Sequence, residues 1–92
     1  MDVKEAVRIA REHIADLYAE EEIANVGLEE TYFEPDADEW RITIGFSRPW
    51  NQPDKFISVV DAVRARSYKT VYIDDLTEGV TAVKDRFLVP SV

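Results

Sequence analysis

The chain has 92 residues, 46% of them hydrophobic and 11% aromatic, which is enough apolar material for one small domain with one core. It has no cysteine and no apolar run near the roughly 18 residues of a membrane span, which excludes disulfides, thiolate metal sites and membrane insertion. Its formal net charge of −8 repels phosphate backbones, so we expect no nucleic-acid partner. We predict a single cytoplasmic domain over residues 1–92.

The first predicted element is a helix over residues 3–22. Apolar residues recur along it at spacings of three and four, namely Val3, Val7, Ala10, Ile14 and Leu17. Asp2 stands where an N-cap is expected. Glutamates at 20–22 place negative charge at the negative end of the helix dipole, and Asn25 or Gly27 then tolerates a left-handed stop.

Two strands are predicted next, over Leu28–Glu34 and over Trp40–Phe46, joined by a turn at 35–38 that is rich in proline and aspartate. The second strand alternates, with Trp40, Ile42, Ile44 and Phe46 on one face and Arg41, Thr43 and Gly45 on the other. One face of this sheet is therefore expected to pack on the helix.

A loop with Pro49 and Pro53 follows, and residues 56–66 have apolar residues at helical spacing but many β-branched ones, so helix and strand both stay open there. Two more strands are predicted at 67–74 and 80–86, as the arms of a hairpin. The predicted fold class is α+β, one long N-terminal helix packed on a four-stranded antiparallel sheet, with a short helix between strands 2 and 3 left open.

Two adjacent aspartates, Asp74 and Asp75, lie between the last two strands. Aspartate accepts hydrogen bonds from nearby backbone N–H groups, Thr77 can close a turn with its hydroxyl, and Gly79 can supply a positive φ. Catalysis would require a cleft, a carboxyl with a raised pKa and a partner group, and the sequence indicates none of them. We therefore predict that the aspartates form a turn.

The order of three segments resembles the PepSY domain, a small cystatin-like module of bacterial proteins. The segments are "AVRIAREHI" (6–14), "YKTVYID" (68–74) and "DLTEGVTAVKDR" (75–86). The family motif has glycine directly after threonine, whereas this chain has Thr77-Glu78-Gly79. The resemblance implies a binding, inhibitory or regulatory role, often beside peptidases, and no catalytic residues.

Residue types that support catalysis or metal binding lack the partners they need. His13 is the one histidine and lies beside the apolar stripe of the helix, so a zinc site is not expected. The acids of the turn, Asp36, Asp38 and Glu39, lack the spacing of an EF-hand. No serine has a glycine elbow or a histidine placed to activate it. We predict no enzyme activity, no cofactor and no metal.

Two surfaces are candidates for binding. The sheet face turned away from the helix is predicted to display Phe33, Tyr68 and Tyr72 among threonines, and Trp50 lies in the proline-bracketed loop. We predict a non-catalytic protein-binding or regulatory module that contacts a protein partner or a second copy through these four residues. The alternative is an acidic immunity-type or nucleic-acid-mimic protein that blocks a basic site, and its acids would be Glu20, Glu21, Glu22, Glu29 and Glu30.

Overall fold

The computed structural model describes residues 1–48 and 66–87 of the chain. In chain order, the elements are α1 (Val3–Leu17), β1 (Ala24–Glu34), β2 (Glu39–Ser47), β3 (Ser67–Asp74) and β4 (Val80–Asp85). The four strands form one antiparallel sheet in the order β1-β2-β3-β4, and α1 packs on one of its faces. The predicted α+β class is confirmed. The open question over residues 56–66 falls on residues that, apart from Arg66, lie outside the described residues.

Helix α1 begins where the sequence predicts and ends five residues earlier. Asp2 caps it, because its Oδ1 accepts a hydrogen bond of 2.8 Å from the backbone N–H of Glu5. The predicted end at residue 22 is wrong, since the helix stops at Leu17, before the acidic run that would oppose its dipole. Left-handed backbone occurs at Glu22 and Asn25, with φ of 50° and 54°. Within the described residues, no helix has the length and apolar character to cross a membrane.

The core lies between α1 and the centre of the sheet. The fully buried apolar side chains are Ala6, Ala10, Ile14, Ile42, Ile44, Phe46, Val71 and Ile73. The predicted inward face of β2 is confirmed, whereas Val3 and Leu17 of the predicted helix stripe are partly exposed near the two ends of α1. Fully burying a large aliphatic side chain contributes roughly 1.5–3 kcal/mol, so this cluster is the main apolar contribution among the described residues.

Strand β2 is also buried on its other face. Thr43 has no exposed surface and Thr70 of the neighbouring strand has 7%. Their hydroxyl oxygens lie 2.9 Å apart, so each satisfies the other in a place that water does not reach. Alternation correctly predicts that these threonines face away from the helix, but they are not the solvated residues typical of an open sheet face.

The β3–β4 turn forms around Asp74 and Thr77 as predicted, and only the predicted position of the positive φ is wrong. Asp74 Oδ1 accepts hydrogen bonds from the backbone N–H groups of Leu76 (2.9 Å) and Thr77 (2.8 Å), and the pKa of its carboxyl is held below the ordinary value, mainly by the Thr77 N–H. The Thr77 hydroxyl accepts from the N–H of Gly79 at 3.2 Å, as predicted. The positive φ falls on Glu78 (61°), so the prediction for Gly79 is wrong.

Asp75 has a different role from its neighbour. Its Oδ1 accepts a hydrogen bond from the indole N–H of Trp40 at 2.9 Å and lies 3.3 Å from the ammonium of Met1. The indole hydrogen bond is the main reason that the pKa of Asp75 lies below its ordinary value. Both carboxylates thus accept hydrogen bonds from groups of the chain itself, Asp74 within its own turn and Asp75 from Trp40.

Candidate binding face

The sheet face opposite α1, called the open face from here on, is organised in rows that cross the strands. In the first row Tyr32 of β1 lies opposite Arg41 of β2, and Arg41 lies opposite Tyr72 of β3. In the second row Glu30 lies opposite Thr43, Thr43 opposite Thr70, and Thr70 opposite Lys84 of β4. Side chains in directly opposite positions contact each other across strands, so the rows determine which groups meet.

Tyrosines and cations alternate across this face. The guanidinium carbon of Arg41 lies 5.8 Å from the ring centroid of Tyr32 and 5.2 Å from that of Tyr72. The ammonium nitrogen of Lys84 lies 4.8 Å from the same Tyr72 centroid. These separations are within the range of cation–π attraction. Tyr32, Arg41 and Tyr72 of the first row, together with Lys84, which reaches Tyr72 from the second row, form one set of contacts, called the cation–tyrosine row from here on.

Two members of the cation–tyrosine row are held by carboxylates. Arg41 Nε donates to Glu39 Oε1 at 3.1 Å, and this hydrogen bond raises the pKa of the guanidinium. The Tyr32 hydroxyl donates to Glu34 Oε2 at 2.8 Å, which raises the pKa of the phenol and lowers that of the carboxyl. Lys84 differs, because no carboxylate among residues 1–48 and 66–87 lies within ion-pair distance of its ammonium.

A groove of about 370 Å³ lies over the cation–tyrosine row. Besides the row it is lined by Glu30, Thr70, Asp85 and Arg86. The two acids already have basic partners, because Glu30 lies 3.3 Å from Arg86 and Asp85 is paired with Lys69. The hydrogen bond from Lys69 holds the pKa of Asp85 below its ordinary value. The groove walls thus consist of tyrosine rings, cations, a threonine and two acids that already have basic partners.

The other end of the open face is closed by an ion pair. Glu29 Oε1 lies 3.3 Å from an Arg66 nitrogen, and the pair rests directly on Gly45. A Cβ at position 45 would lie 2.7 Å from Glu29 Oε1 and 2.9 Å from Arg66 Nη2, so only glycine leaves room for the pair in its present position. The Arg66 guanidinium also lies 6.0 Å from the ring centroid of Tyr68. Tyr68 is half-buried at this covered end.

The predicted aromatic residues separate in the structure. Tyr68 and Tyr72 lie on the open face, as predicted, and Trp50 lies outside the described residues. The predicted position of Phe33 is wrong, because it lies opposite Trp40 on the helix-facing side with ring centroids 4.9 Å apart. Tyr32 takes the place expected for Phe33. That these rings bind a partner stays a prediction.

A signal for Tyr32 was present in the sequence. The turn at 35–38 places Glu34 opposite Glu39, and counting back from that pair sets Phe33 opposite Trp40 and Tyr32 opposite Arg41. Because Trp40 shares a face with Ile42, Phe33 must face the helix and Tyr32 must face away. Counting pairs outward from the turn would have identified the correct tyrosine.

The acids of the alternative surface are largely neutralised within the chain. Three of the five pair with arginines: Glu21 with Arg48 at 3.0 Å, Glu29 with Arg66 at 3.3 Å and Glu30 with Arg86 at 3.3 Å. Glu20 and Glu22 are exposed. The three paired carboxylates would have to exchange partners before binding a basic site, and that this surface binds a partner stays a prediction.

Within residues 1–48 and 66–87, no group of three or more histidine, cysteine, aspartate or glutamate side chains is arranged to hold a metal ion.

The fold and the open face define a small α+β domain with one helix-covered sheet face and one ordered polar-aromatic face. Comparison of the chain with protein-family models, with curated proteins and with solved structures finds no match. The resemblance to PepSY domains stays a prediction.

Proposed function

We propose that the protein is a non-catalytic binding or regulatory module of the cytoplasm that contacts a protein partner, or a second copy of itself, through the open face. The resemblance to PepSY domains belongs to this proposal, because such modules act by binding. The observation that supports it best is the cation–tyrosine row, in which Arg41 and Lys84 both lie within cation–π distance of the ring of Tyr72.

Preorganised rings favour binding for an energetic reason. Tyrosine buries a large area at low conformational cost, and a ring already held in place loses little further freedom when a partner covers it. Tyr32 is 48% exposed and Tyr72 is half-buried in the wall of the groove, so both retain surface that a partner can cover. Binding energy at such faces concentrates in a few aromatic anchors.

Site-specific photo-crosslinking tests the proposal. A photoreactive phenylalanine analogue replaces Tyr72 in one variant and Leu76 in a matched control, since Leu76 is 81% exposed in the β3–β4 turn, away from the groove. We expect a protein adduct from position 72 and none from position 76. Mass spectrometry then identifies the partner, and an adduct between two copies identifies a dimer through this face.

The purified partner allows a quantitative measurement. Truncating an anchor ring commonly costs about thirtyfold in affinity, so Tyr72→Ala should weaken binding by that amount while Leu76→Ala leaves it unchanged. Circular dichroism checks that both variants are folded. A photoreactive residue at Glu22 reports on the acidic surface. Adducts from position 22 alone, with binding insensitive to Tyr72→Ala, would replace this proposal with the acidic alternative.

A further inference from the structure

The residues that line the groove carry three cations and two acids, a small formal charge opposite in sign to that of the chain. The chain carries a formal charge of −8, whereas the groove walls include Arg41, Lys84 and Arg86. Both acids and two of the cations are already paired, Glu30 with Arg86, Asp85 with Lys69 and Arg41 with Glu39, so the charge offered to a ligand is mainly that of Lys84. Cations gathered at one concave place on an acidic protein attract a negatively charged ligand there.

Lys84 is the cation most available to such a ligand. Its ammonium lies over the Tyr72 ring and, among the described residues, has no carboxylate partner, so a ligand can pair with it without breaking an existing ion pair. The side chains of Arg86 and Glu30 are 48% and 45% exposed. Ion pairs as exposed as this one are weak, so an incoming carboxylate can compete for Arg86 at little cost.

We propose that the occupant of the groove is an acidic segment of the protein partner, with one aspartate or glutamate carboxylate on Lys84 and Arg86 and its aliphatic carbons against the ring of Tyr72. This inference rests on the proposed function and states the chemistry of the partner. A volume of about 370 Å³ is near the low end of small-ligand sites, about 300–1,000 Å³, and suits one or two side chains.

The charge of the rest of the molecule favours a short acidic segment over a nucleic acid. A polyanion extends many phosphates past the groove toward a surface of net negative charge, and each of them is repelled. A peptide with a few acids can place its charges within the groove alone. Exposed charges interact over only about 8–10 Å at physiological ionic strength, so the local cations dominate at this range.

Nuclear magnetic resonance titration of the whole isotope-labelled chain tests the inference. The probe is an end-capped eight-residue peptide of alternating glutamate and alanine, and its control has glutamine in place of glutamate. We expect the glutamate peptide to shift the amide signals of Thr70, Tyr72 and Lys84, and added salt to weaken it. The glutamine peptide should leave these signals in place. Equal binding of both peptides would overturn the inference.

Two variants that each remove one positive charge test whether the glutamate peptide binds at the groove. Lys84→Gln and Lys4→Gln each remove one positive charge, and Lys4 is exposed on α1, which packs on the other face of the sheet. We expect Lys84→Gln to weaken the glutamate peptide about fivefold, the scale of one exposed ion pair, and Lys4→Gln to change it by less than twofold. Lys84→Arg should restore most of the affinity. Equal losses from Lys84→Gln and Lys4→Gln would show an unlocalised charge effect and contradict the inference.

Two further outcomes assign the groove to another occupant. Binding of a phosphoserine peptide together with no binding of the glutamate peptide would overturn the acidic segment in favour of phosphate. Self-association that Lys84→Gln abolishes, with no response to the peptide, would assign the groove to a second copy.

If the partner captured through position 72 binds Lys84→Gln as well as the unaltered chain, the acidic chemistry is wrong and the proposed function stands. If position 72 captures no protein, the proposed function fails.

Discussion

The two faces of the sheet are both well ordered, but different forces order them. On the face that α1 covers, Ile42, Ile44 and Phe46 are fully buried in an apolar cluster. On the open face, order comes from a buried hydroxyl pair, from cations between rings and from the Glu29–Arg66 ion pair. The first kind of order gives stability in proportion to area, while the second gives a defined surface with little net stability.

The largest expected effect lies on the helix-covered face. Ile44→Ala should lower the free energy of unfolding by about 2–5 kcal/mol, because it leaves a cavity in a closely packed core. Leu28→Ala is the matched control, since Leu28 lies opposite Ile44 on the edge strand and is 42% exposed. Urea denaturation measures both. Similar losses for the two variants would mean that the core is not centred on β2.

The hydroxyl pair of the open face should show strong coupling. Thr43→Val alone should cost about 1–3 kcal/mol, because it leaves the buried hydroxyl of Thr70 without its partner, whereas replacing both threonines by valine should be nearly neutral. Urea denaturation of the two single variants and the double variant completes the thermodynamic cycle. Additive losses would show that the hydroxyls do not depend on each other.

A smaller change in stability is expected when Gly45 is replaced. An added methyl group meets the ends of two flexible side chains, Glu29 and Arg66, which can move aside. Replacing glycine by alanine also restricts the unfolded chain by about 0.4–1 kcal/mol, so the net change in stability of Gly45→Ala should be within about 1 kcal/mol. The displaced ion pair should shift the ring signals of Tyr68, which Arg66 overlies. A loss of several kcal/mol would show that the pair cannot move.

The smallest effect is the pH dependence contributed by the Tyr32–Glu34 hydrogen bond of the open face. The hydrogen bond from Tyr32 lowers the pKa of Glu34, so the stability it contributes is present above the unfolded carboxyl pKa of about 4.3 and is lost as pH falls through the folded value. The pKa of Tyr32 is raised, so its contribution is present below about pH 10 and is lost as pH rises through the folded value.

The difference in unfolding free energy between the unaltered chain and Tyr32→Phe should therefore be largest between about pH 5 and 9 and shrink on either side. Thr43→Val removes no ionisable group, so its difference should be flat over the same range. A flat profile for Tyr32→Phe would mean that the Tyr32–Glu34 hydrogen bond does not persist in solution.

Local pattern predicted most of the fold. Strand β3 was predicted with its observed bounds, because it alternates regularly and the turn residues that follow it mark its end. Strand β1 begins at Ala24, four residues before its predicted start. The prediction missed this first part of the strand because register shifts between Ala24 and Glu30 interrupt the alternation there. The side of Phe33 was predicted wrongly for another reason, because residues 30–34 pair regularly with β2 and their faces follow only from counting pairs outward from the turn.

The candidate site was predicted less completely. Alternation within β3 was sufficient to place Tyr68 and Tyr72 on the open face. Arg41 and Lys84 were not predicted to flank Tyr72, because that arrangement depends on the registers of β2 with β3 and of β3 with β4. Register describes how two strands pair, so it cannot be deduced from the alternation within one strand.

One hydrogen bond between the two hairpin turns has a consequence for hydrogen exchange. The backbone N–H of Asp75 donates to the carbonyl of Asp38 at 2.9 Å, and the indole of Trp40 donates to the Asp75 side chain. The β1–β2 turn and the β3–β4 turn are thus fastened to each other at one end of the sheet. Neither turn can open far alone, so the amide protons of Asp75 and Glu78 should exchange with deuterium as one cooperative unit, together with the opening of the first hairpin turn.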